Sequence, residues 1–318
     1  MIVRLKTFIS KNFFSPPKLV VKNKILNKLG FQILRIYYMI LKFKTKKLFF
    51  SIKKKGSLEN RINEEVHKKG YCIIEDFFKK SEFDLIKNTI ELIKQENVLK
   101  KIKYGNVDVL VGELILSKKY NKDVKKIVEL FNCSEAKLAI ENILYSKIKS
   151  FQCPTYQEIT LKENLIDEDD INSEFHPDRF YTCVKSFFYI NNNSMENGAF
   201  EYYPESHKLN KERILYEYFH SIFVSSKNYS EEDLFNKEFV LTNGRITLTK
   251  KKLNELFGEP IICSAPENSF VISNNMGFHR RGKIQPNQVR KHLRNDYYDF
   301  QINPILRNTK NFIKNKIR

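Results

Sequence analysis

The sequence predicts an α+β fold with a mainly β core: a double-sheet jelly roll with flanking helices and a basic N-terminal helical extension. Three observations carry this. Helical periodicity dominates the first half of the chain, whereas the second half is a series of short strand-like runs separated by turn signals. The strand-like half is interrupted once, by a helical stretch from Lys211 to Phe235 that is rich in Tyr and Phe. The length of 318 residues with 42% hydrophobic content is enough for one large domain and an extension. Short strands gathered in two layers suit a jelly roll.

In chain order, Pro16-Pro17 punctuates the first segment. From Val20 to Phe50, Lys28, Arg35 and Lys42 recur every seven residues, and Lys24 and Lys46 extend that stripe. Leu26, Leu29, Ile33, Ile36, Tyr37 and Ile40 lie mostly away from it, as in a basic amphipathic helix. Lys53-Lys54-Lys55-Gly56 reads as a linker. Ser57 is placed to cap a helix through Lys69, with Gly70 as its stop. Tyr71 to Glu75 reads as a strand and Lys80 to Asn97 as a helix. Residues 105–117 are β-like, and residues 122–143 form one or two further helices. Tyr145 to Leu161 is expected to hold two strands. After the acidic stretch Glu168-Asp169-Asp170, strand patterns return at Tyr181 to Ile190, Pro260 to Cys263, Ser269 to Ser273 and Val289 to Phe300. The expected units are an extension over 1–55, a catalytic domain over 56–306 and a short basic tail over 307–318.

The formal charge of +19 is unevenly placed. Residues 1–55 hold fifteen Lys or Arg and no Asp or Glu; the remainder holds 41 basic and 37 acidic groups, about +4. The basic character therefore belongs to the extension. An amphipathic basic helix fits an anionic membrane surface, and nucleic acid ranks below it because no recognised binding motif accompanies the charge. A docking helix or a solvated arm is the plainer alternative. The longest apolar run there, Ile36 to Leu41, is far shorter than a spanning helix needs. The five cysteines are scattered, odd in number and without a Cys-x-x-Cys, which excludes a disulfide framework and a zinc ribbon. Cys72 and Cys183 sit in apolar strand-like runs and are expected to be buried. No secretory signal is read. The expected location is cytoplasmic, with peripheral attachment of residues 1–55 to the inner face of a membrane.

The chemistry concentrates in His176-Pro177-Asp178 and His279, followed eleven residues later by Arg290. Residues two apart in an extended segment share a face, so His176 and Asp178 can reach one metal ion. A second imidazole from a distant strand completes two His and one carboxylate. Such a set leaves three octahedral positions open, as in non-haem Fe(II) oxygenases. The planar fork of Arg290 suits the far carboxylate of a 2-oxoacid; the alternative is a surface charge row with His292 and Arg294, and Arg294 is the fallback. Arg280 and Arg281 flank the distal His and are read either as contacts to an anionic substrate or as a solvated loop. Gln157 is a candidate contact to cosubstrate or substrate, and Phe180 and Tyr181 are read as core or pocket wall. His207 and His220 are read as ordinary surface or turn histidines.

With these motifs the chain resembles the phytanoyl-CoA dioxygenase-like group of Fe(II)/2-oxoglutarate oxygenases. The resemblance rests on His-x-Asp, on "NGAFEYYPESHK" from Asn197 to Lys208, on "GFHRRG" around His279 and on the Arg eleven residues beyond. "HKKGYCIIEDFF" from His67 to Phe78 resembles that group's first strand. It covers roughly residues 57–300, with one departure: Glu205 stands where the group commonly has Gly. The resemblance implies a double-stranded β-helix, Fe(II) on His176, Asp178 and His279, 2-oxoglutarate as cosubstrate and O2 as oxidant. It further implies hydroxylation of a small-molecule or lipid-linked substrate, with succinate and CO2 released. Asp178 fills the position that related halogenases leave to chloride. Two other readings stand beside it: a zinc-dependent hydrolase on the same three ligands, and a membrane- or nucleic-acid-associated protein with an inactive jelly roll. The substrate and the oligomeric state are not legible.

Overall fold

The computed structural model describes residues 20–21, 23–50, 56–117, 119–133, 135–148, 154–162, 165–166, 172–225, 238–242 and 245–298. The predicted Pro16-Pro17 break, the linker Lys53–Lys55, the acidic stretch 168–170 and the tail 307–318 lie outside them.

Two antiparallel sheets face each other. The larger runs β1 (Tyr71–Ile74), β10 (Phe270–Asn274), β5 (Cys183–Tyr189), β12 (Val289–Tyr298), β4 (Thr155–Leu161), β3 (Val107–Glu113), β2 (Lys100–Tyr104). The smaller runs β11 (His279–Arg281), β6 (Phe200–Tyr202), β9 (Ile261–Ile262). A bridge between His176 and His279 adds the His-x-Asp segment beside β11. From β4 onward the chain passes back and forth between the sheets, as in a double-stranded β-helix. Alternation along β5 shows how the layers fill. Val184 and Phe188 pack toward the helices, whereas Phe187 and Tyr189 meet Phe200, Tyr202 and Val271 between the sheets.

Helices α3 (Ser57–Lys68), α4 (Lys80–Gln95), α5 (Asn121–Cys133) and α6 (Glu135–Leu144) contribute apolar faces to the outer core. Gly70 ends the α3 turn at φ +96°, and a Cβ there would collide with the Tyr202 hydroxyl. Cys72, Cys183 and Cys263 are buried free thiols. Between Tyr145 and Leu161, β4 is the one strand among the described residues; Tyr145 turns the chain at φ +45° instead of entering a strand. β2 carries no signal in the reading above, and neither do three later elements. β7 (Phe239–Thr242) and β8 (Arg245–Leu248) form a hairpin, followed by α8 (Lys250–Phe257). With α7 (Lys211–Ser225) they enclose a second small core around Tyr216, Phe239 and Phe278.

The extension departs most from expectation. The single helix is two, α1 (Lys24–Lys28) and α2 (Phe31–Phe49), broken at Gly30 with φ +84°. Both lie on the jelly-roll domain. Asn27 Nδ2 donates to the Ser221 carbonyl at 3.0 Å, and Ile36 and Met39 pack on Phe180 and Tyr181. Arg35, expected on an exposed basic stripe, is buried 4.6 Å from the Phe180 ring centroid and donates to Gln32. Leu29 and Tyr37, expected on the apolar face, are exposed. Of the basic stripe, Arg35 alone is buried, against an aromatic ring face that attracts its guanidinium, while Lys24 and Lys28 stay exposed.

Candidate functional site

His176 and His279 are direct β-bridge partners, exchanging backbone hydrogen bonds at 2.9 and 3.1 Å. This pairing brings their rings to 4.8 Å between centroids. Each Nδ1 meets a carbonyl two residues earlier, His176 on Glu174 at 2.6 Å and His279 on Gly277 at 2.9 Å. Those contacts suit an Nδ1–H tautomer and turn both Nε2 lone pairs inward, the orientation that metal-bound imidazoles take from their surroundings. Gly277 is required here, because a Cβ would overlap the Tyr202 hydroxyl. Asp178 enters from the same segment, its N–H fixed by the Asn275 carbonyl at 2.8 Å. One ligand atom from each of the three residues lies within 4.8 Å of the other two. Two imidazole nitrogens and a carboxylate at this spacing fit a divalent transition metal.

Two further residues, missed in the sequence, complete the surroundings. Lys185 Nζ is 2.6 Å from Asp178 Oδ2. Asn275 Nδ2 reaches both Asp178 Oδ2 at 3.0 Å and His279 Nε2 at 2.8 Å, and Ser273 Oγ donates to its Oδ1. Burial opposes the charge on Asp178, but Lys185 and the two imidazoles outweigh it, and the carboxyl is held well below its ordinary range. The signal for Lys185 was present: a lysine sharing the inward face of β5 with Cys183, Phe187 and Tyr189.

A cavity of about 130 Å³ is lined by His176 and His279 of the triad and by Arg290. Its floor is aromatic. Phe200 lies 5.5 Å from the His279 ring and 5.1 Å from Phe187, and the Arg290 guanidinium sits 5.7 Å from Phe187. Arg290 is fully buried. Its Nη1 donates to the Gly198 carbonyl at 2.6 Å, and its Nε has no protein partner. A buried guanidinium with an orphaned N–H and, among the described residues, no carboxylate paired with it suits an acidic ligand. Burial lowers its pKa from the ordinary arginine value.

The other candidates separate. Gln157 lines the same cavity, with its Oε1 3.1 Å from Nε2 of His292, an imidazole that burial holds neutral. Arg294 pairs with Asp296 at 3.0 Å. Arg280 lies on β11 rather than in a solvated loop, and it makes a two-point contact with Glu201 at 2.9 and 3.1 Å. Arg281 also lines the cavity. Phe180 and Tyr181 pack under α2 and are absent from the cavity wall. His207 and His220 are buried, not surface residues; His207 Nε2 lies 3.1 Å from the His67 carbonyl, and burial pushes its pKa down to about 4.

No family model and no curated protein matches the chain. Among solved structures it is similar to the epimerase SnoN in complex with Fe3+, alpha ketoglutarate and nogalamycin RO, at 13% identity and a TM-score of 0.47, over 76% of this chain and 84% of that one. It is also similar to HygX from Streptomyces hygroscopicus with nickel, 2-oxoglutarate and hygromycin B bound, at 12% identity and a TM-score of 0.43, over 74% and 85%. A third is a prolyl hydroxylase from Trichoplax adhaerens in complex with a hypoxia inducible factor peptide, at 11% identity and a TM-score of 0.41, over 76% and 89%. Likeness this distant carries no argument about chemistry.

Proposed function

We propose that this chain is an Fe(II)- and 2-oxoglutarate-dependent oxygenase of the phytanoyl-CoA dioxygenase-like type that hydroxylates a small-molecule or lipid-linked substrate. The observation that supports it is a cavity lined by two histidines, whose inward Nε2 atoms lie beside the Asp178 carboxylate, and, beyond an aromatic floor, by a buried arginine with an orphaned N–H. His176, Asp178 and His279 would hold the iron, and Arg290 the distal carboxylate of the cosubstrate. Iron with 2-oxoglutarate and O2 supplies oxidation of a C–H bond, with succinate and CO2 as co-products. The protein supplies orientation, a largely apolar floor and fixed charges. A zinc hydrolase on the same ligands would leave the buried charge of Arg290 without a role. The test is an anaerobic titration of Fe(II) followed by 2-oxoglutarate, then a succinate-release screen over candidate substrates. Absence of 2-oxoglutarate binding to the metal-loaded protein would exclude the proposal.

A second reading attaches the N-terminal helices to an anionic membrane. Leu34, Tyr37, Leu41 and Leu48 form a stripe on α2 opposite its buried face, and Leu41 and Leu48 are 65% and 82% exposed. The fifteen basic residues of segment 1–55, with no acid among them, supply the charge. No described helix is long and apolar enough to cross a membrane. Co-sedimentation should recover the full-length chain with anionic vesicles, partly released by salt, and not with neutral ones. Leu41→Glu with Leu48→Glu should abolish it; unchanged sedimentation would remove the reading.

A further inference from the structure

One buried side chain outside the cavity bonds to both segments that carry the metal ligands. Arg213 stands in the first turn of α7, where its backbone N–H is capped by Asn210 Oδ1 at 2.8 Å. Its side chain is fully buried and does not line the metal cavity. A guanidinium has five N–H donors in a rigid fork, and Arg213 makes five hydrogen bonds with them. Nε and Nη2 donate to Glu217 Oε1 at 3.3 and 2.8 Å, one helical turn further on. The other three bonds end on backbone carbonyls, those of Met276 at 2.6 Å, Ser206 at 3.2 Å and Arg179 at 3.4 Å. The guanidinium also lies 5.0 Å from the centroid of the Phe278 ring.

Each of these carbonyls belongs to a segment that places a metal ligand. Arg179 follows Asp178 directly. Met276 precedes Gly277, whose carbonyl meets His279 Nδ1 at 2.9 Å. Ser206 lies in the turn after β6, and its Oγ accepts the N–H of Phe278, the residue before His279, at 2.8 Å. The bonds to Arg179 and Met276 cross 34 and 63 residues of sequence, so no local turn enforces them. We propose that Arg213 is a positioning residue for the metal site: its fork sets the spacing of the Asp178 segment and the His279 segment, and with it the angle at which the three ligand atoms converge. This rests on the metal-binding part of the oxygenase reading and not on the cosubstrate. Two features separate positioning from packing. A buried ion pair is a poor device for stability, since apolar residues of the same volume commonly do as well. A planar fork fixes the directions of three carbonyls at once, and groups that orient metal ligands carry about 10- to 100-fold in metal affinity.

The test is titration of metal-stripped full-length protein with Co(II). Calorimetry reads the affinity, visible absorption reads the ligand geometry, and melting curves read the fold. Arg213→Met with Glu217→Gln removes both charges together, so neither is left buried alone, and a cooperative melt should persist. The Co(II) Kd of this variant should rise by about 10- to 100-fold, and its visible bands should move away from those of the wild type. Arg213→Lys keeps the pair with Glu217 but loses the fork. It should move the bands in the same way, and it is the milder variant should the double one fail to fold. Phe239→Leu loosens the small core around Tyr216 and removes none of the bonds to the three carbonyls. It should lower the melting temperature and leave the Co(II) Kd and bands unchanged. Wild-type affinity and bands in a folded Arg213 variant, or equal weakening in Phe239→Leu, would overturn the proposal while leaving the metal site in place. No Co(II) binding by the wild-type protein would remove the metal site itself and this inference with it, so the two failures are told apart.

Discussion

Replacing Lys185 with methionine should tighten metal binding, although it removes a residue beside the metal ligands. Lys185 Nζ sits 2.6 Å from Asp178 Oδ2, with side-chain exposures of only 14% and 17%. A hydrogen bond to a charged group contributes about 1.5–3 kcal/mol net, and this pair is too buried for strong screening by salt. A divalent cation on Asp178 competes with that ammonium for the same oxygen and is repelled by it. Without the lysine there is no pair to break, so the Kd for Co(II) should fall by about 10- to 100-fold, at about 1.4 kcal/mol per decade. The metal-free protein should melt earlier, because a buried carboxylate has lost its partner. The acid sensitivity follows the same logic. The Asp178 carboxyl is depressed in the folded chain, so its stabilisation is complete above the ordinary carboxylate pKa and disappears as pH falls toward the folded value. Lys185→Met should shrink that loss. The assay is calorimetric titration of metal-stripped full-length protein with Co(II) at neutral pH, with melting curves alongside. Unchanged or weaker Co(II) binding would refute the competition argument and make Lys185 a support of the metal site.

Four further outcomes are expected. His279→Ala should abolish tight Fe(II) binding and succinate release, and full retention of either would displace it from the ligand set. Arg290→Lys keeps a charge but loses the fork, so the 2-oxoglutarate Kd should rise by about 10- to 100-fold, one charged hydrogen bond's worth; an unchanged value would point to Arg294. Burial lowers the folded pKa of His207 from 6.5 to about 4, so the unfolded chain takes a proton that the native state refuses. Stability should therefore drop by roughly 3 kcal/mol as pH falls through that window, and His207→Gln should flatten the drop in denaturant midpoints measured at each pH. Glu205 adopts φ +64° where the resembling group commonly has Gly. Glu205→Gly should raise stability by about 1 kcal/mol in chemical denaturation, less whatever the exposed Lys208 contact contributes.

The sequence by itself singled out the residues of the candidate site and most of the strands. His176 and Asp178 were legible as a pair because period two is a property of extended chain that does not depend on partners, whereas His279 and Arg290, on separate strands, were legible only through the pattern that the resemblance supplies. Cys72 and Cys183 were legible as buried because they sit in apolar strand-like runs. Lys185 and Asn275 were not singled out, since what makes them matter is a contact across the sheet to Asp178, over 97 residues of separation in the case of Asn275. His207 was misplaced because a histidine at a turn is normally solvated, whereas here the end of α3, distant in sequence, packs against it. The hairpin β7–β8 and α8 form around Tyr216 and Phe278, partners distant in sequence, so their own short runs carried little signal. The N-terminal helices show the division most clearly. Composition and periodicity established a basic, helical segment. Which face it buries was decided by the surface it meets: Ile36 and Met39 pack on Phe180 and Tyr181, Arg35 lies over the Phe180 ring, and Leu34, Tyr37 and Leu41 are left exposed. A helix carries several apolar and charged stripes at once, and only the surface it meets determines which of them becomes the inside.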